Sequence, residues 1–255
     1  MTTWLEPVAG ALGRRSTACP FFFRDDDAGW ADDSLWALLD EFAAFDVTVD
    51  VAAIPTAVGR RGARELRARV ADGVARVHQH GWSHANHEPT GRKCEFGPAR
   101  SAADQSADVA AGRARLEDLF GAIDPVFTPP WNRCSQATVD AVLAAGHRVL
   151  SRDESAGTLC RPGLTEVAVT VDWCASEDGV RASPDVLGRR LAAVVAAGGP
   201  VGVMLHHAVM DASERAAALR PFLALVVRSP VAVPTTITAL ASSRVRSSPA
   251  GPRRD

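Results

Sequence analysis

The sequence predicts an α/β protein whose parallel strands close, or nearly close, into a β/α barrel. Three observations carry this expectation. Short β-branched or aromatic runs alternate with segments of helical periodicity along most of the 255 residues, the pattern of strand–helix units and a parallel sheet. The number of units suits a barrel better than a small doubly wound sheet. Residues with acid–base or ligand chemistry recur just after the strand-like runs, where parallel α/β folds gather their sites.

The elements follow in order. Pro20-Phe-Phe-Phe-Arg24 reads as a buried strand. Leu35, Leu38, Leu39 and Phe42 come next at helical spacing, behind the cap candidates Asp32, Asp33 and Ser34. Residues 47–54 form a second strand, stopped by Pro55, and Ala63, Leu66 and Val70 mark a helix that ends near Gly73. Residues 74–80 are a third strand. The polar stretch 87–100, punctuated by Gly and Pro, is a loop. Val109, Leu116, Leu119 and Phe120 resume a helix, and 125–128 is a fourth strand broken by Pro129 and Pro130. Val139, Val142 and Leu143 mark a helix, 148–150 a short strand, and 165–171 alternates as a strand should. Val186, Leu187, Leu191 and Val194 make another helix, 200–205 a buried strand, and 213–227 a last long helix. Residues 231–233 and 236–239 close the ordered part. One domain, 1–241, is expected, with 242–255 a disordered basic tail rich in Ser and Pro.

Composition narrows the function. The net charge is −2 with interspersed signs, and no basic stripe tracks phosphates, which argues against nucleic acid as a partner. No window has the apolar length of a membrane span. The start, Met-Thr-Thr-Trp-Leu-Glu-Pro, lacks a basic region followed by a long apolar run, so no secretory signal is expected. The five cysteines are scattered, without a Cys-x-x-Cys pair. That suits reduced thiols in a cytoplasmic protein.

Four of the seven histidines, His78, His80, His84 and His87, crowd together at the end of the third strand. Imidazole is both a common metal ligand and the usual acid–base group near neutral pH; a polar surface loop, or histidines in a core hydrogen-bond network, are the plain alternatives. The other strand ends add Asp25-Asp26-Asp27, Thr128-Pro-Pro-Trp-Asn132, Asp172-Trp173 and His206-His207. Three adjacent carboxylates repel one another unless a cation offsets them. A strand alternates its faces, so Asp25 and Asp27 can point away from Asp26. With the strands side by side, carboxylates, imidazoles and two indoles meet at one mouth.

In order and content these motifs resemble the polysaccharide deacetylase (NodB-homology) family, the family-four carbohydrate esterases. The family's Thr-Phe-Asp-Asp-Gly is matched by Arg24-Asp-Asp-Asp-Ala28, and its His-Ser/Thr-x-x-His by His80-Gly-Trp-Ser-His84, with Gly81 in place of the hydroxyl residue. The third motif is met in part by Thr128-Pro-Pro-Trp-Asn132, without its arginine. Val171-Asp-Trp173 and Leu205-His206 resemble the fourth and fifth. The resemblance implies a distorted (β/α)7 barrel and a divalent metal, Zn²⁺ foremost, with Co²⁺, Ni²⁺ or Mn²⁺ as alternatives. It implies Asp27, His80 and His84 as ligands, Asp26 as general base and His206 as general acid. Sliding the first motif by one residue makes the aspartates Asp25 and Asp26, and a similar shift exchanges His206 for His207. Trp131 is implied as oxyanion donor through its backbone N–H, Asp172 as the residue that tunes the acid, and Trp173 as pocket wall. Arg24 and Arg133 are the candidates to replace the missing arginine that orients the base. His78 and His87 take supporting roles.

The expected activity is metal-dependent removal of an acyl group, foremost N-acetyl, from an amino sugar or glycoconjugate. The alternatives are hydrolysis of another non-peptide C–N bond, and a non-catalytic carbohydrate- or metal-binding protein on the same barrel.

Overall fold

The three consecutive phenylalanines lie in the longest described strand of the sheet. In the computed structural model, which describes residues 2–177 and 180–247, helix α1 (Glu6–Gly13) precedes strand β1 (Cys19–Ala28). Then come α2 (Asp32–Ala43), β2 (Val49–Ala53), α3 (Arg60–Ala71), β3 (Ala75–His80), α4 (Ala102–Phe120), β4 (Val126–Thr128), α5 (Gln136–Ala144) and β5 (Val149–Leu150). Next are β6 (Thr165–Glu166), β7 (Val171–Asp172), a small hairpin of β8 (Ser176–Glu177) and β9 (Val180–Arg181), α6 (Pro184–Ala197) and β10 (Val201–Leu205). Helix α7 (Ala212–Glu214) runs through a π-helical turn, Arg215–Leu219, into α8 (Arg220–Arg228). Strand β11 (Ala232–Pro234) and helix α9 (Ile237–Ser247) end the described chain.

The main sheet has the order β6-β5-β4-β3-β2-β1-β10-β7, and β11 pairs with the first residues of β1. Its pairings are parallel. The two ends of this path, β6 and β7, belong to one stretch of chain. Strands spaced at about 4.8 Å would put the ends of a flat eight-strand path about 34 Å apart. The chain from Glu166 to Val171 spans at most about 18 Å. The sheet must therefore curl, and it forms a half-barrel, the distorted barrel expected from the motifs.

Alternation along β1 sorts its side chains. Phe21 and Phe23 face the outer helices, with Phe23 edge-on to Phe42 of α2 at 5.0 Å and to Phe222 of α8 at 6.2 Å between ring centroids. Phe22 faces inward, in a cluster with Val126, Val149, Val167, Val169 and Met204. Ile237, Leu240 and Ala241 of α9 join that cluster and close the barrel at the N-terminal ends of the strands. Phe22, Arg24 and Asp26 share the inner face; Phe21, Phe23 and Asp25 share the outer one.

Three elements differ from expectation. The run 165–171 is two short strands, because Val167 and Val169 turn into the barrel while the chain crosses from one end of the sheet to the other. Helix α1 lies where no element was read; its Val8, Ala11 and Leu12 are buried in the outer core, and the helix packs on α6. The tail expected from residue 242 begins as helix, since α9 continues to Ser247. Ser242 and Ser243 bond back to the carbonyls of Thr238 and Leu240, and Arg244 donates to the Glu166 carbonyl at 2.6 Å. Residues 248–255 lie outside the described residues. Among the described residues no helix is long and apolar enough to cross a membrane.

Asp50 on β2 links the sheet to α9. Its Oδ2 accepts the Ile237 N–H at 2.9 Å, while the buried Oδ1 has no partner among the described residues. Burial pushes its carboxyl up to about 8, against the opposing effect of that hydrogen bond. Unfolded, the group titrates at 3.8. Between these values the folded chain keeps a proton that the unfolded chain has released, so stability falls as pH rises through this window. Asp50→Asn is expected to flatten that part of a melting-temperature profile; profiles of equal slope for variant and wild type would refute the assignment.

Candidate metal centre and active site

Three ligand atoms converge where β1 and β3 end. Asp27 Oδ1 lies 3.1 Å from His80 Nε2 and 3.2 Å from His84 Nε2. Ligands about 2.0–2.2 Å from a tetrahedral ion stand about 3.3–3.6 Å from one another, so the spacing is close to what one ion needs. One carboxylate and two imidazoles also form the open, three-ligand set of a catalytic rather than structural site. Burial works against charge on Asp27, yet the two imidazoles hold its carboxyl well below the usual carboxylate range. His80 Nδ1 sits 3.0 Å from the Thr128 carbonyl. That oxygen can only accept, so Nδ1 carries a proton and Nε2 is aimed at the centre, the outer support that metal-binding histidines use. The residues fit a divalent ion.

Backbone conformation explains why Asp27 joins this group. Strict alternation would point Asp27 outward with Asp25. Instead the pairing of β1 with β2 slips between Asp25 and Ala28, and Asp27 adopts φ 75°. A non-glycine residue rarely takes that conformation. It breaks the pleat and swings the carboxylate toward the histidines. His84 is likewise left-handed, at φ 57°. Its ring is flanked by Trp30 and Trp131 at centroid distances of 4.9 and 4.4 Å.

Glu95 secures the histidine loop. Fully buried, it accepts the backbone N–H groups of Trp82 at 3.1 Å and Ser83 at 2.7 Å, and the Ser83 hydroxyl at 3.0 Å. This accounts for Gly81, where the related motif has a hydroxyl residue. Gly81 has φ 55°, and a Cβ there would stand 2.2 Å from Glu95 Oε2 and 2.6 Å from Pro130 Cδ. Glu95 was not among the sequence candidates, for it lies in a stretch without periodicity.

Arg24, wholly buried, meets Asp26 in a two-pronged ion pair: Nε to Oδ1 at 2.8 Å and NH2 to Oδ2 at 2.9 Å. NH2 also reaches Asn132 Oδ1 at 2.8 Å and Met204 Sδ at 3.0 Å, and NH1 reaches Ser151 Oγ at 3.0 Å. Arg133, the other candidate, turns away and donates to the Lys93 carbonyl. Asp25 points outward, as alternation requires, and binds His207: Nδ1 to Oδ2 is 2.6 Å, and the His207 backbone N–H donates to Oδ1 at 2.9 Å. Asp25 and His207 are therefore occupied with each other, away from the mouth.

A pocket of about 760 Å³ adjoins the centre, with Trp131, Asn132, Asp172, Met204 and His206 in its wall. Trp131 and Asn132 hold successive left-handed conformations, φ 54° and 59°. Such strain, about 1–3 kcal/mol per residue, is held here by the Asn132–Arg24 bond and by the His84 ring. Among the described residues no acceptor meets the Trp131 backbone N–H, and no group hydrogen-bonds the His206 ring. Asp172 accepts the Cys174 N–H at 2.8 Å; burial raises its carboxyl, and His206 beside it opposes that rise.

Trp173 is the exception among the predicted site residues. Next to Asp172 on an alternating segment, it faces the outer helices, 3 % exposed. There it packs on Trp4 and Phe222, and its Nε1 donates to Glu214 at 2.9 Å. It belongs to the core and not to the pocket. His78 bonds Thr128 Oγ1 at 2.9 Å, and burial, then Arg24, push it well below its ordinary value. His87 is exposed on the loop.

No family profile and no curated protein sequence matches the chain. Solved structures do. A protein of Mycobacterium smegmatis described as a "putative polysaccharide deacetylase" superposes with TM-score 0.74 at 18% identity, over 95% of this chain and 96% of that one. A family 4 acetyl xylan esterase of Clostridium thermocellum, in complex with a cobalt ion, gives TM-score 0.59 at 16% identity over 89% and 92%. A mutant of BA3943, a CE4 family pseudoenzyme of Bacillus anthracis, with restored enzymatic activity gives 0.61 at 18% identity over 89% and 68%. The half-barrel with its strand-end mouth is thus the NodB-like fold of the family-four (CE4) polysaccharide deacetylases.

Proposed function

We propose that this chain is a metal-dependent hydrolase that removes an N-acyl group, foremost N-acetyl, from an amino sugar or glycoconjugate. The observation that carries the reading is the Arg24–Asp26 pair beside the Asp27–His80–His84 triad, at a mouth that also holds His206. When bound, a divalent ion, Zn²⁺ foremost with Co²⁺, Ni²⁺ or Mn²⁺ as alternatives, supplies Lewis-acid polarisation of the acyl carbonyl and a lower pKa for water. Asp26 takes the proton of the attacking water as general base, its orientation set by Arg24. The free Trp131 N–H donates to the oxyanion as it develops. His206 returns a proton to the departing nitrogen, with the Asp172 carboxyl beside it. The products are a carboxylate, acetate in the foremost case, and a free amine. We place this activity in the cytoplasm, on the strength of five free cysteines.

A pseudoenzyme with the same fold supports a second reading, a non-catalytic carbohydrate- or metal-binding protein. Asp26→Asn is expected to lower acetate release from N-acetylated sugars by about 10²–10⁴-fold with metal content retained. His80→Ala and His84→Ala are expected to lose the ion held by the Asp27–His80–His84 triad. Unchanged metal content in both histidine variants would sink the ligand assignment. A metal-loaded wild type that turns over nothing in a broad N-acyl panel would leave the binding reading in its place.

A further inference from the structure

A second group of ligand side chains lies across the mouth from the first. Strands β7 and β10 are neighbours in parallel register, with Val171 beside Val203 and Asp172 beside Met204. This register brings Asp172, Cys174 just beyond β7, and His206 just beyond β10 into one corner. A carboxylate oxygen, the thiol sulfur and an imidazole nitrogen there all lie within 4.8 Å of one another. None of the three is fully buried, and Asp172 and His206 face the open pocket, so a solute ion can reach the corner through these two. The Cys174 N–H takes up Oδ1 of Asp172 and leaves Oδ2 available.

The donor chemistry differs from that of the first triad. Thiolate, imidazole and carboxylate together select a thiophilic borderline ion such as Zn²⁺ or Co²⁺ over Mg²⁺ or Ca²⁺. We propose that Asp172, Cys174 and His206 form a second divalent-cation site, and that filling it shuts off hydrolysis by occupying the imidazole that serves as proton donor. The inhibitory half rests on the acid role proposed for His206; the site itself does not.

Cobalt tests the two parts separately. Wild-type protein titrated with Co²⁺ is expected to take up about two ions per chain and to develop a near-ultraviolet thiolate-to-metal charge-transfer band. The band should persist in His80→Ala and His84→Ala and vanish in Cys174→Ser and Cys174→Ala, two variants whose melting temperatures check folding. A wild type without the band, or a band that survives loss of Cys174, overturns the site. In an active preparation, excess Zn²⁺ should inhibit wild type, and Cys174→Ser should need at least tenfold more Zn²⁺ for the same inhibition. Equal inhibition of both overturns the inhibitory role. A protein with no activity but with the cobalt band refutes the hydrolase reading and leaves the second site standing.

Discussion

Arg24→Lys is expected to lower turnover by about 10²-fold, the lower part of what a positioned general base contributes, with metal content and KM little changed. The argument is geometric. Arg24 fixes both oxygens of Asp26 and at the same time binds Asn132, Ser151 and Met204. A lysine keeps the charge but is a point donor and cannot form the planar fork. Asp26 would remain paired yet free to rotate away from the water it must deprotonate. Arg24→Ala is the harsher change, since a buried carboxylate left without its partner costs about 3–5 kcal/mol and confounds activity with folding. The split between kcat and KM in the lysine variant separates positioning from general support. An Arg24→Lys enzyme with wild-type kcat would show that Asp26 needs no such orientation.

The Arg24–Asp26 pair was within reach of the sequence, because Phe22, Arg24 and Asp26 alternate onto one face. Only the third dimension shows that Asn132, Ser151 and Met204 stand opposite to complete its shell. The same alternation places Trp173 outward from Asp172, against the place in the pocket wall that the motif implies. The strand–helix order, the curled sheet and the positions of Asp27, His80 and His84 were legible because motifs at strand ends depend on topology rather than on long-range packing. Glu95 was not legible. Its function is to satisfy N–H groups of a loop more than ten residues upstream, and no periodicity announces that. The left-handed turn of Asp27 was equally hidden, since the residue type does not demand it.

Asp25→Ala and His207→Ala should each lower stability by about 3–5 kcal/mol, the usual loss when one partner of a buried ion pair is removed. For a chain of this size that is a melting-temperature drop on the order of 10 °C. Both side chains are fully buried. The His207 ring stands between two acceptors, Asp25 Oδ2 at 2.6 Å and the Trp30 carbonyl at 2.7 Å. Burial raises the Asp25 carboxyl and the His207 ring opposes that rise; with Asp25 ionised, the two acceptors are met by protons on both ring nitrogens, an imidazolium. Burial opposes that charge, but the Asp25 carboxylate and the Trp30 bond lift His207 to about 9. The pair ties the end of β1 to the segment after β10 and, through the Trp30 carbonyl, anchors the residue whose ring flanks His84. Its loss should therefore be read in stability, with metal still bound by the molecules that fold. The first-motif register is decided by the same experiment. If Asp25→Ala kept its melting temperature and abolished acetate release while Asp26→Asn stayed active, the base would be Asp25 and the motif would slide by one residue. The outward face that Asp25 shares with Phe21 and Phe23 argues for the opposite result.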